Sequence, residues 1–232
     1  EGLPDFSDGF DVYAGWEITR KGDNSLTPEQ NRLLAYGAPL FLYNDDNVDS
    51  LESTAGTDTL KEMLEEWWEV TDRKSALETI SWLLNEGQHA GADPALTEIR
   101  QRGIEAITEE EKADEDSKIG DAFTIAEFVM GVNETTEADL PETVLAWDLV
   151  RAVNMARWAF ICGYINEDEM WEAIRTTAGI AKESFNSWEE YGNSFAVGRG
   201  IWRGETDDYE TADEVVGALL NKEDSPWKAI EW

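Results

Sequence analysis

Apolar positions recur with a helical period along nearly the whole chain, and short polar joints separate the runs. The pattern predicts helices over residues 28–43 (bent at Pro39), 58–69, 73–87, 94–106, 109–118, 122–132, 141–163, 167–185, 188–203 and 211–221. Their starts share one chemistry. Thr27-Pro28-Glu29-Gln30 sets a capping threonine before a first-turn proline, with glutamine at the third helical position. Thr108 with Glu111, Thr124 with Glu127, Asn166 with Glu169, Ser187 with Glu190 and Thr211 with Glu214 repeat this spacing of cap and acid. Runs of β-branched and aromatic residues at period two are nearly absent. The expected fold class is all-α: a single multi-helix globular domain of about ten helices with an extended N-terminal arm.

The arm is read over residues 1–25, where acidic residues alternate with Phe6, Phe10, Tyr13 and Trp16. Asp5, Asp8 and Asp11 could be taken for metal ligands, but the aromatic interleaving suits an arm laid over a core. Residues 26–203 are then the helical core and 204–232 a C-terminal helix and tail. Asn44-Asp45-Asp46-Asn47-Val48-Asp49 looks like the start of a calcium loop. Counting twelve from Asp45 reaches Gly56 where a bidentate glutamate is required, and the central glycine is missing, so an exposed acidic loop is expected. Residues 108–118 read as a solvated charged helix or a flexible link.

The stretch Thr143–Arg203 stands apart. It holds five of the eleven tryptophans and five of the ten arginines, at a charge of only −2, which leaves −31 for the rest of the chain. On a helical wheel Trp147, Arg151, Asn154 and Trp158 fall within a stripe of about 60°, and most of the other positions are apolar. A helix apolar on nearly every side is buried, so Arg151, Asn154 and Arg157 are expected in an interior, where unpaired charge costs several kcal/mol. Asp148 stands three residues before Arg151, within pairing reach, and the tryptophans can stack on guanidinium. In the next helix Met170, Trp171, Ile174, Ala178, Ala181 and Phe185 form a core stripe. In the third, Trp188, Tyr191, Phe195, Gly198 and Trp202 align, beside a small-residue ridge of Gly192, Ala196 and Gly200 that lets another backbone approach. Arg199 lies at the edge of the aromatic stripe, shielded and paired; Glu189 and Glu190 sit where the helix dipole favours acids. Trp147, Asp148, Arg151, Asn154, Arg157, Trp188, Glu189, Arg199 and Trp202 are therefore the candidate ligand-binding set. Two readings of it stay open: a structural ion network that fixes helix register, or an Arg- and Trp-lined pocket.

Composition narrows the function classes. Lysine and arginine number 18 against 51 aspartates and glutamates, a net charge of −33. This opposes binding to nucleic acid or anionic membrane by direct charge attraction, and favours solubility, a basic protein partner or high salt. The longest apolar stretch, 144–165, carries Asp148, Arg151 and Arg157, against a membrane span. One cysteine, Cys162, excludes an internal disulfide and fits a buried thiol in a reducing compartment. The chain begins at Glu1 without a methionine, so a processed or trimmed start is expected. Zinc needs several His and Cys ligands, and there is one of each. No GxSxG, GxxxxGK[ST] or GxGxxG is present. No catalytic residue, metal or cofactor is assigned. His89, the one imidazole, reads as a helix C-terminal residue.

Trp147-Asp148-Leu149-Val150-Arg151, Arg157, Gly163-Tyr164-Ile165, Ser187-Trp188-Glu189-Glu190, Gly198-Arg199 and Trp202 together resemble the bacterial domain-of-unknown-function family 1266. Trp68-Glu69-Val70, Arg73 and Leu83-Leu84-Asn85-Glu86-Gly87 are similar to its first half, so the likeness covers about residues 60–203. The family tends to place histidine directly after the glycine, whereas here Gln88 intervenes before His89. The resemblance implies an all-helical cytoplasmic bacterial domain and transfers no activity. The function expected from the residues is a non-catalytic binding module for a basic protein. The alternatives are an enzyme or sensor that holds a small molecule between the arginines and tryptophans, an immunity-type inhibitor of a basic toxin, and a purely structural domain adapted to salt.

Overall fold

The computed structural model describes residues 13–232; Asp5, Phe6, Asp8, Phe10 and Asp11 lie outside the described residues. Among the described residues helix is the only regular structure. The elements are α1 (Pro28–Leu34), α2 (Ala38–Tyr43), α3 (Thr57–Trp68), α4 (Arg73–Asn85), α5 (His89–Arg102), α6 (Glu109–Lys112), α7 (Ile119–Asn133), α8 (Leu145–Ile161), α9 (Glu167–Ser184), α10 (Trp188–Arg203), α11 (Thr206–Asn221) and α12 (Pro226–Ala229). Among the described residues no helix is long and apolar enough to cross a membrane.

The centre of the molecule is α8. Every residue from Ala146 to Ala159 is buried, because α4, α9, α10 and α2 pack around it. Each large apolar side chain shielded there stabilises the fold by about 1.5–3 kcal/mol. Close approach to α10 depends on Gly198: a Cβ there would lie 2.7 Å from Cβ of Trp147, shorter than any ordinary contact. On its other side α10 packs along α11, with Gly192 facing Val216 and Gly200 facing Tyr209. The small-residue ridge is thus the seam between these two helices.

A single 3₁₀ turn, Ala35–Gly37, separates α1 from α2 ahead of Pro39. Its carbonyls are met from the centre: Tyr191 Oη donates to Tyr36 O at 2.9 Å and Asn154 Nδ2 to Gly37 O at 3.1 Å. Residues 16–27 form no helix up to the cap at Thr27. They lie against α2 and α11, with Trp16 stacked on Tyr43 and its indole donating to Glu214.

Four caps form as the spacing predicts, at Thr27, Thr108, Asn166 and Ser187. Thr124 and Thr211 instead lie inside α7 and α11, where their hydroxyls bond the carbonyls of Gly120 and Asp207 four residues back. A threonine can satisfy itself this way mid-helix, so its spacing to an acid does not by itself mark a start. The stretch predicted to be helical over 109–118 stops at Lys112. The helix expected from 94 begins at His89 and carries Pro94 inside it. Its early start has a tertiary cause, described next.

Candidate functional site

Asp148, in the first turn of α8 and without solvent exposure, is the hub of the site. It sits under the turn that joins α4 to α5. The amides of Gln88 and His89 donate to its carboxylate at 2.9 and 2.8 Å, and His89 Nδ1 lies 2.8 Å from Oδ2. Arg151, one turn along α8, pairs with its other oxygen. These free amides of a helix start are a ready anion seat, which is why α5 begins here and not at its proline. Gly87 permits the approach. Its φ is +51°, and a Cβ would fall 2.4 Å from Cγ of Asp148. His89 is therefore an N-terminal residue of α5, not the C-terminal one expected, because the buried carboxylate holds both its ring and its amide. Burial works to raise the Asp148 pKa, but the His89 hydrogen bond, the Arg151 charge and the backbone amides prevail and hold it low. The same hydrogen bond raises that of His89.

Arg151 lies over the Trp147 ring, with Cζ 4.5 Å from its centroid. From α10, Arg199 approaches that ring at 5.6 Å, pairs with Asp208 at 2.8 Å and donates to Tyr43 Oη at 2.9 Å. Trp202 packs on Trp147 at 5.4 Å with a 37° tilt. Guanidinium groups of two helices thus meet around one indole.

They form one wall of a cleft of about 1430 Å³. Another wall is α3 and α4, through Met63, Glu66, Trp67, Trp68, Glu78 and Trp82, and it meets the first at Arg151, whose Cζ is 5.6 Å from the Trp68 ring and 6.0 Å from that of Trp82. Tyr43, Asn44, Asp46, Ser53, Thr54 and Ala55 also line the cleft. Trp67 is 77% exposed, the most open of the large apolar side chains noted on this surface. Three arginines (151, 199, 203) and five carboxylates (46, 66, 69, 78, 208) line the cleft. The arginines sit on the α8–α10 side, already paired with Asp148 or Asp208. Glu66 and Glu69 on α3 and its cap have no basic partner among the described residues.

The tryptophans divide without exception. Trp16, Trp171, Trp188, Trp227 and Trp232 each donate their indole N–H, to Glu214, Glu167, Ile230 O, Ala35 O and Phe185 O. The other six (67, 68, 82, 147, 158, 202) all line the cleft, and none donates to a protein acceptor among the described residues. For Trp147, which is 3% exposed, the unspent N–H is closed off from solvent as well. Buried indoles ordinarily find an acceptor.

Of the residues singled out from the sequence, the cleft gathers Trp147, Arg151, Arg199 and Trp202, with Asp148 directly behind. Arg157 lies beneath it, fully buried, with Nη1 2.8 Å from Asp46 Oδ2 and Nη2 2.7 Å from Glu52 O. Its partner comes from the loop expected to be exposed: Asp46, Asn47, Val48 and Ser50 are all buried. A fully buried arginine required such an acid. Asn154 Nδ2 donates to the carbonyls of Gly37 and Val150, away from the cleft. Trp188 is stacked on Trp227 at 4.9 Å in a separate aromatic cluster near the C-terminus, and Glu189 is exposed at the start of α10. Sequence reasoning passed over Trp67, Trp68 and Trp82. Periodicity hides them: on a helical wheel Trp67 and Trp68 fall about 40° and 60° to either side of the direction set by Leu60 and Leu64, so the pattern assigns both to the core side and gives no sign that Trp67 is exposed.

Among the described residues no three His, Cys, Asp or Glu side chains group closely enough to hold a metal ion. No curated protein and no solved structure matches the chain. The family model described as "Protein of unknown function (DUF1266)" matches residues 63–232, which takes in α4 to α12, most of the cleft and the last thirty residues that the motif likeness left out. The chain belongs to that family.

Proposed function

We propose that this protein is a non-catalytic binding module whose cleft receives a basic segment of a partner protein. The observation that carries this reading is the division of the tryptophans: the indoles without a protein acceptor are those that line the cleft. The five tryptophans away from the cleft serve packing and spend their N–H groups on the protein itself. A row left unspent along a concavity, with Trp67 standing out into water, suits contact with something outside the chain.

Charge selects the occupant. The cleft carries more carboxylates than arginines, the arginines are paired, and the chain as a whole is at −33. A lysine or arginine side chain entering between Trp67, Trp68 and Trp82 would meet aromatic faces together with Glu66, Glu69 and Glu78. Cation–π contact and charge pairing would then act on one group, and the acidic surface would speed encounter with a basic protein.

Titration with a hexa-arginine peptide followed by calorimetry tests this. Any polycation will adhere to so acidic a protein at low salt, so the decisive comparison is with variants of unchanged charge. Trp67→Ala and Trp82→Ala should each weaken binding about tenfold at physiological salt, a loss near 1.4 kcal/mol. Equal affinity for both variants and wild type would reduce the interaction to bulk electrostatics and remove the cleft from it.

A further inference from the structure

The two sides of the cleft differ in what they lack. On the α3–α4 side Glu66 and Glu69 have no basic partner among the described residues, while Glu78 pairs with Lys74 at 3.6 Å. The α8–α10 side has N–H donors without acceptors. Trp147 Nε1 and Arg199 Nε are both buried and unpartnered. Arg151 uses Nε on Trp147 O and Nη2 on Asp148, and its remaining terminal nitrogen has no partner among the described residues. All three donors belong to side chains grouped at the Trp147 ring. Here Arg151, Arg199 and Arg203 stand against Asp148 and Asp208, which leaves one positive charge. Buried donors without acceptors are costly, and a folded chain rarely leaves several together.

From this juxtaposition we infer that the Trp147 end of the cleft is a carboxylate seat. It deepens the reading of the cleft as a site for a basic segment, and rests on it: the segment would be a chain terminus, its carboxylate at Arg151, Trp147 and Arg199 and a basic side chain among Trp67, Trp68 and Trp82. A carboxylate offers two oxygens to several donors at once, and hydrogen bonds to an ionised acceptor are about twice as strong as neutral ones. Capture of a terminal carboxylate by converging N–H groups is a recurring mode of peptide recognition. Trp202 is packed on Trp147 yet 37% exposed, so the seat requires its ring to turn outward for the carboxylate to reach the Trp147 N–H.

Two small probes separate the seat from the basic subsite. Nα-acetyl-arginine carries a guanidinium and a carboxylate; Nα-acetyl-argininamide carries the guanidinium alone. Their effects are read on the indole N–H signals of the ¹⁵N-labelled chain, with Trp147 assigned by its loss in Trp147→Phe or, should that variant not fold, by through-space contacts to Phe195. Both probes should move the Trp67 and Trp82 signals. Only the acid should move Trp147 downfield, and it should bind about tenfold more tightly than the amide, a preference that Arg199→Lys, with its charge kept and Nε lost, reduces. If both probes move Trp67 and Trp82 alike and Trp147 stays still, the carboxylate seat is overturned and the basic cleft stands. If neither probe moves any cleft indole, the basic cleft falls and the seat falls with it.

Discussion

Two groups of tryptophans in this protein have the same chemistry and opposite situations. Near the C-terminus, Trp188, Trp227 and Trp232 pack on Tyr36 and Tyr191 with ring centroids 4.7–6.2 Å apart, and every indole N–H ends on a backbone carbonyl. Across the molecule, the cleft tryptophans stand at a concave surface with their N–H groups unspent. The first group ties the last residues of the chain to α1, α2 and α10. In the second, Trp147, Trp68 and Trp82 gather around the Arg151 guanidinium, with ring centroids 4.5–6.0 Å from its Cζ, and Trp67 stands 77% exposed. What separates structural from available aromatic surface is therefore the fate of the one polar atom in the side chain, more than the area that the ring buries.

Substitutions sharpen the contrast, and the largest effect belongs in the packed group. Trp227→Ala should cost about 3–5 kcal/mol, read by urea denaturation, because it removes the ring stacked on Trp188 and takes from Ala35 O one of its two donors, the other being the Ala38 amide. A loss under 1 kcal/mol would mean that this cluster is no more structural than the cleft. Gly198→Ala comes next, at about 1–3 kcal/mol, since the added methyl drives α10 off Trp147. A smaller effect is a dependence on pH. The pKa of His89 is raised by Asp148, so its share of stability is complete below the ordinary histidine value of 6.5 and fades as pH rises through the raised one. That of Asp148 is lowered, so its share is present above the ordinary 3.8 and is lost as pH falls through its own lower value. Thermal melts should therefore weaken on the alkaline side, and His89→Gln should flatten that slope; an unchanged slope would place its origin elsewhere. The smallest effect is expected at Trp67→Ala, within about 0.5 kcal/mol of wild type, because the ring supports nothing behind it.

Much of the fold was legible in the sequence because burial writes itself into periodicity. The stretch 147–161 is apolar around nearly its whole circumference, which left α8 only the centre to occupy. The pairing of Asp148 with Arg151 followed from spacing alone. Contacts between distant segments were not legible in this way. Asp46 looked like loop acid until Arg157 claimed it across 111 positions. His89 looked like the end of a helix because the carboxylate that starts α5 lies 59 residues away. The candidate site was half visible for the same reason. Trp147, Arg151, Arg199 and Trp202 carried a helical pattern, whereas the other wall is joined to them only by the packing of α3 and α4.

The central claim is that the cleft tryptophans are a contact surface and the remaining five are structure. A ¹H–¹⁵N spectrum of the indole region, recorded with and without saturating hexa-arginine at physiological salt, tests it most directly. The account predicts that signals from the cleft group move while those of Trp16, Trp171, Trp188, Trp227 and Trp232 hold their positions. Shifts spread evenly over both groups, or confined to the five partnered indoles, would contradict it.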